Sequence, residues 1–142
     1  MFLTKNIVII MNDKELLLQD ICCRLPYEVK VNVNSEYLSE ELIKSSYDKP
    51  LVVYGVTADG SISFTLDKFL MEYSMPILSI KPYLFPLSSM TEEQKKEEYE
   101  ICKYYLNGYE SKLIDFYHKN HLDYRGLISK ELAIDATDKN IY

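Results

Sequence analysis

Tryptophan is absent from the 142 residues, glycine occurs four times and histidine only twice. Four glycines leave little material for loops that cradle phosphate, and no G-x-x-x-x-G-K-[ST] loop, G-x-G-x-x-G turn or G-x-S-x-G elbow is present. Long apolar runs are missing as well. The longest near the start, Ile7-Val8-Ile9-Ile10-Met11, is too short for a signal-peptide core and far below the roughly 20 residues of a membrane span. A cytoplasmic protein without a membrane partner is expected. The three cysteines, Cys22, Cys23 and Cys102, are odd in number and lack metal-ligand spacing, which reads as reduced thiols. Basic residues are outnumbered 16 to 22 by acidic ones, and the net charge of -6 argues against a dedicated binder of phosphate backbones. No strong nucleic-acid signal remains.

What the chain does have is tyrosine, thirteen of them, in an otherwise ordinary globular composition of 47% hydrophobic and 27% charged residues. The length suits one domain over residues 1–142.

Asn12-Asp13-Lys14-Glu15 has the form of a capping box, and Leu17, Leu18, Ile21, Cys22 and Leu25 follow at helical spacing before Pro26. A helix is expected over about 13–24, with Cys22 on its buried face. Tyr27, Val29, Val31 and Val33 alternate with polar residues as a strand with one wet face requires. Residues 35–46 carry Leu38, Leu42 and Ile43 and fit either a short helix or an irregular excursion. Two apolar runs, 51–57 and 61–66, flank Ala58-Asp59-Gly60. A three-residue loop with Gly60 left-handed would pair Val56 with Ile62, Tyr54 with Phe64 and Val52 with Leu66. Pro76, Pro82 and Pro86 exclude helix from 75–86 and favour an extended connector packed on the core.

Thr91-Glu92-Glu93-Gln94 is a second capping box. The helix from about 92 should use Ile101, Cys102, Tyr105 and Leu106 as its apolar face and Glu93, Lys96, Glu97 and Glu100 as its solvated one. Asn107-Gly108 offers a stop, and a further helix over about 110–120 carries Leu113, Ile114, Phe116 and Tyr117. The fold class is therefore α+β, an N-terminal helix and small antiparallel sheet followed by a helical C-terminal half.

The wordings of 81–93 (KPYLFPLSSMTEE) and 116–128 (FYHKNHLDYRGLI), with Leu25-Pro26-Tyr27-Glu28-Val29-Lys30 and Leu132-Ala133-Ile134-Asp135-Ala136-Thr137, resemble a family of small uncharacterised proteins frequent in genomes, prophages and phages of gut Bacteroidales. The resemblance implies a phage-associated or mobile-element origin and carries no catalytic residues with it. Two departures stand out: Phe2 to Met11 precedes the family's usual start, and Lys130-Glu131 occupies the place of a Met-Gly or Lys-Gly pair.

Two constellations could carry chemistry. His118 and His121, flanked by Asp115 and Asp123, have a spacing that could share a metal, but no further ligands complete a tetrahedral set, and the helix dipole accounts for their position. Asp123-Tyr124-Arg125-Gly126 places a planar guanidinium between an aromatic ring and a glycine, suited to gripping a carboxylate or phosphate, or else Asp123 and Arg125 pair within a turn. No cofactor is implied. Tyr99, Tyr104, Tyr105, Tyr109 and Tyr117 cannot all face one core from amphipathic helices, and exposed tyrosine is a recognition residue. The expected function is a non-catalytic accessory protein that binds another macromolecule, most simply a protein partner, through Tyr104, Tyr109, Tyr124 and Arg125. One form is an inhibitor of a host nucleic-acid-directed machine whose Glu-rich face imitates phosphate. The competing class is an enzyme or small-ligand binder built on His118, His121, Asp123 and Arg125.

Overall fold

The structure, a computed structural model, describes residues 12–34, 50–66, 69–104 and 108–142. The run 7–11, the segment 35–46 and the residues Tyr105, Leu106 and Asn107 lie outside them.

Helix α1 spans Asp13–Arg24. Its capping box is formed: Glu15 N–H donates to Asn12 Oδ1 at 2.8 Å, and the Asn12 N–H returns a bond to Glu15 at 3.3 Å. A 3₁₀ turn over Leu25–Tyr27 follows, Glu28 turns left-handed at φ 55°, and strand β1 runs Lys30–Val33. Val29, Val31 and Val33 are buried, as the alternation requires.

Strands β2 (Leu51–Val56) and β3 (Ser61–Leu66) form the hairpin. Its tip has the expected three-residue loop: Val56 stands opposite Ile62, Thr57 N–H donates to Ser61 O at 2.9 Å, and Gly60 has φ +82°. Further along, the register departs from expectation. A bulge at Tyr54 sets Val53 opposite Phe64 and Val52 opposite Thr65, replacing the pairs Tyr54 with Phe64 and Val52 with Leu66. The cause lies in the burial pattern. Leu51, Val53 and Ile62 are all buried, but strict alternation from Val56 would put Leu51 and Val53 on the other face, and the extra residue restores them to the core. Tyr54 is left 46% exposed.

Strand β4 (Phe69–Pro76) pairs with β3, and β5 (Ile80–Pro86) pairs antiparallel with β1. The expected connector over 76–86 is therefore largely a strand inside the sheet. Pro82 and Pro86 share the parity of Leu84, so only one edge of β5 lacks N–H donors, and Phe85 still donates to His121 O at 2.8 Å on the other edge.

Helices α2 (Glu92–Tyr104) and α3 (Tyr109–Lys119) flank Gly108 at φ +88°. The Thr91–Gln94 box is closed in both directions at 3.1 and 2.9 Å. Helix ends at Lys119, and the short strands β6 (Leu122–Asp123) and β7 (Ile134–Asp135) then add parallel to β5. Among the described residues the sheet order is β4-β3-β2-β1-β5-β6, with β7 also on β5. The architecture is α+β with a mixed sheet, and α1 covers the sheet through Leu17 and Ile21 against a core including Val31, Val53, Ile62, Ile80 and Leu84.

Candidate functional site

Helical spacing places Asp20 and Arg24 on one face of α1, and that face is the buried one. Both side chains have 0% exposure. Arg24 Nε meets Asp20 Oδ2 at 2.8 Å, its Nη2 meets Oδ1 at 3.2 Å, and the same Nη2 donates to Leu122 O at 2.7 Å. One guanidinium thus ties α1 to β6 across 98 residues of sequence. Arg125, from the turn after β6, brings a second guanidinium to the same carboxylate, Nε to Oδ1 at 3.2 Å. This is an ion pair in distance, but the Nε–H is not aligned on the oxygen for a hydrogen bond.

Tyr124 lies beside both arginines, its ring centroid 5.6 Å from Arg24 Cζ and 4.9 Å from Arg125 Cζ, and stacks on Tyr117 at 5.2 Å. Its hydroxyl and His118 Nε2 share a 2.8 Å hydrogen bond. Burial, reinforced by Arg24, pushes the His118 pKa down, and burial pushes that of Tyr124 up, so both groups are held toward neutrality. Tyr117 donates to Glu98 of α2 at 2.8 Å; burial, then the Glu98 bond, raises its pKa.

The remaining members of the sequence-predicted constellations have other partners. Asp123 accepts from Leu127 N–H at 2.8 Å and Ile128 N–H at 2.9 Å, capping the turn that follows; it does not pair with Arg125. His121 stacks on Tyr142 with centroids 3.6 Å apart, and burial, then Arg24 and Lys30, pushes its pKa down to about 4. The Tyr142 hydroxyl accepts from Lys30 N–H at 3.0 Å and donates to Tyr83 O at 2.9 Å, bridging β1 and β5. His118 and Arg125 thus meet on Tyr124, whereas His121 and Asp123 are committed elsewhere. Among the described residues no three His, Cys, Asp or Glu side chains gather as a metal site would need.

Tyr104 is exposed on α2 and Tyr109 half-buried at the start of α3, whereas Tyr124 and Arg125 belong to the half-buried cluster on Asp20. Sequence reasoning missed Asp20, Arg24 and Tyr142. The signal for the first two was available in an acidic-to-basic i, i+4 pair on the apolar side of α1; for Tyr142 there was none. Cys22 is exposed, contrary to expectation, because the buried stripe of α1 runs Leu17, Asp20, Ile21, Arg24. Comparison with protein-family models, curated proteins and solved structures finds no match.

Proposed function

We propose that this is a non-catalytic accessory protein, of phage or mobile-element association, that binds a protein partner through the tyrosines of α2. The observation that carries this reading is the state of that helix. None of its described residues is buried, while Tyr99 and Tyr104 are 64% and 69% exposed. Lys103 Nζ stands 5.9 and 5.5 Å from the two ring centroids, which gathers two aromatic faces and a cation into one patch. Tyrosine offers large contact area for few torsions, and hot spots concentrate in such residues. The phage or mobile-element association rests on the sequence resemblance alone.

The phosphate-mimic form draws on the same helix, where Glu93, Glu97 and Glu100 are exposed. Their charges would govern association rate and salt dependence, whereas the tyrosines would govern residence time. The competing enzyme or small-ligand reading draws on His118 and Arg125, which meet on Tyr124, while His121 and Asp123 have other partners. A photo-crosslinking residue at position 99 or 104, with another at the exposed position 130 as control, tests the proposal in lysate of a gut Bacteroidales host. A discrete adduct from 99 and 104 but not from 130 supports it. Equal labelling from all three positions refutes it.

A further inference from the structure

We propose that the Arg24 and Arg125 guanidiniums, held on the single carboxylate of Asp20, form a binding site for a carboxylate group. The inference stands independently of the tyrosine patch on α2.

Charge is the first ground. Two permanent cations converge on one anion, leaving one positive charge in excess at a place where Arg24 and Asp20 are wholly buried and Arg125 is 19% exposed. Among the described residues no second carboxylate pairs with either guanidinium. Asp123 keeps its charge but turns its oxygens to the Leu127 and Ile128 amides, burial holds His118 and Tyr124 toward neutrality, and Lys30 adds positive potential from the side of His121. Asp115 acts on His118 from the exposed side of α3.

Hydrogen bonding is the second ground. Arg24 Nη1 and Arg125 Nε are both buried without a hydrogen-bond acceptor. Buried donors of this kind are rare, and charged ones are the costliest to leave unsatisfied. The Tyr124 ring offers only its π-face, which does not replace an oxygen acceptor. The partly exposed Arg125 and the half-buried Tyr124 put the open side of the cluster at the turn after β6. A carboxylate brings two acceptor oxygens for the two unfilled donors and a single negative charge for the second guanidinium, whereas a phosphate dianion would bring two charges.

The test is thermal unfolding in Tris chloride with added sodium acetate, sodium phosphate or sodium chloride at matched ionic strength. Parallel titrations follow the arginine Nε resonances by NMR. A blocked Gly-Asp-Gly peptide serves as the second carboxylate source. Acetate or the peptide should raise the unfolding temperature saturably above the chloride control and shift two arginine Nε signals. Tighter binding of the peptide would assign the carboxylate to a polypeptide, and tighter binding of acetate to a small acid. Arg125→Gln should abolish the effect and Arg125→Lys weaken it at least threefold; the NMR titration reads binding even where a variant is less stable. No difference between acetate, peptide and chloride would overturn the proposal. Stronger binding of phosphate than of either carboxylate would overturn it too.

Discussion

Replacing Asp20 by asparagine keeps the shape of the side chain and removes the carboxylate that two guanidiniums share. The three contacts are 2.8, 3.2 and 3.2 Å, and Asp20 and Arg24 have no exposed surface. Even at an effective dielectric constant of about 20, a pair of charges 4 Å apart interacts by about 4 kcal/mol. The net penalty for stranding a buried charge is about 3–5 kcal/mol after relaxation. Folded domains have only about 5–15 kcal/mol in total, so Asp20→Asn should consume a large part of the stability. Urea unfolding followed by circular dichroism and tyrosine fluorescence is the assay. With a slope of about 2 kcal/mol per molar, the midpoint should fall by about 2 M. Arg125→Gln should cost less, about 1–2 kcal/mol, because Arg125 is partly exposed and its contact lacks an aligned hydrogen bond. An Asp20→Asn midpoint within 0.5 M of the parent, roughly 1 kcal/mol, would refute this account of the cluster.

Glu131 occupies the left-handed position of a Schellman ending at φ 60°, with Leu132 N–H bonded to Leu127 O and Glu131 N–H to Ile128 O; Glu131→Gly should stabilise by about 1 kcal/mol, and a loss would contradict the assignment. Cys22 should react with a thiol reagent in the native protein, though more slowly than a free thiol because burial raises its pKa, and protection until unfolding would be contrary. His121 stays neutral in the fold down to about pH 4, whereas an unfolded histidine takes its proton below about 6.5, so its contribution to stability is lost as pH falls through that window. Discounted for the ring's solvent contact, the loss is about 1–2 kcal/mol, and His121→Phe should flatten the unfolding profile between pH 7 and 4 by that amount; an unchanged slope would refute it.

The helices and the hairpin tip were legible because local chemistry determines them. Both capping boxes and the positive φ of Gly60 and Gly108 follow from residues within a few positions of each other. What escaped depends on distant partners. The bulge at Tyr54 is invisible in the hairpin alone, since it answers to the need to bury Leu51 and Val53 beside Ile62. The strand at 80–86 was hidden by its prolines, whose missing donors matter on one edge only. Hydrophobicity alone sets the phase of α1 on Leu18 and Cys22, whereas the fold turns Asp20 and Arg24 inward, where Leu122 O and Arg125 meet them. Conversely, the turn at Glu131 forms with a non-glycine residue at positive φ, held by its two backbone bonds and by the packing of Leu127 and Leu132 at the core.

The proposed function places recognition in the tyrosines of α2. Calorimetric affinity of the crosslinked partner for Tyr99→Ala and Tyr104→Ala, set against Glu93→Ala and Glu97→Ala at two salt concentrations, tests it directly. The tyrosine variants should each cost about 2 kcal/mol at either salt, and the glutamate variants under about 1 kcal/mol. Dominant glutamates, with binding that collapses as salt rises, would contradict the claim and leave the phosphate-mimic form in its place.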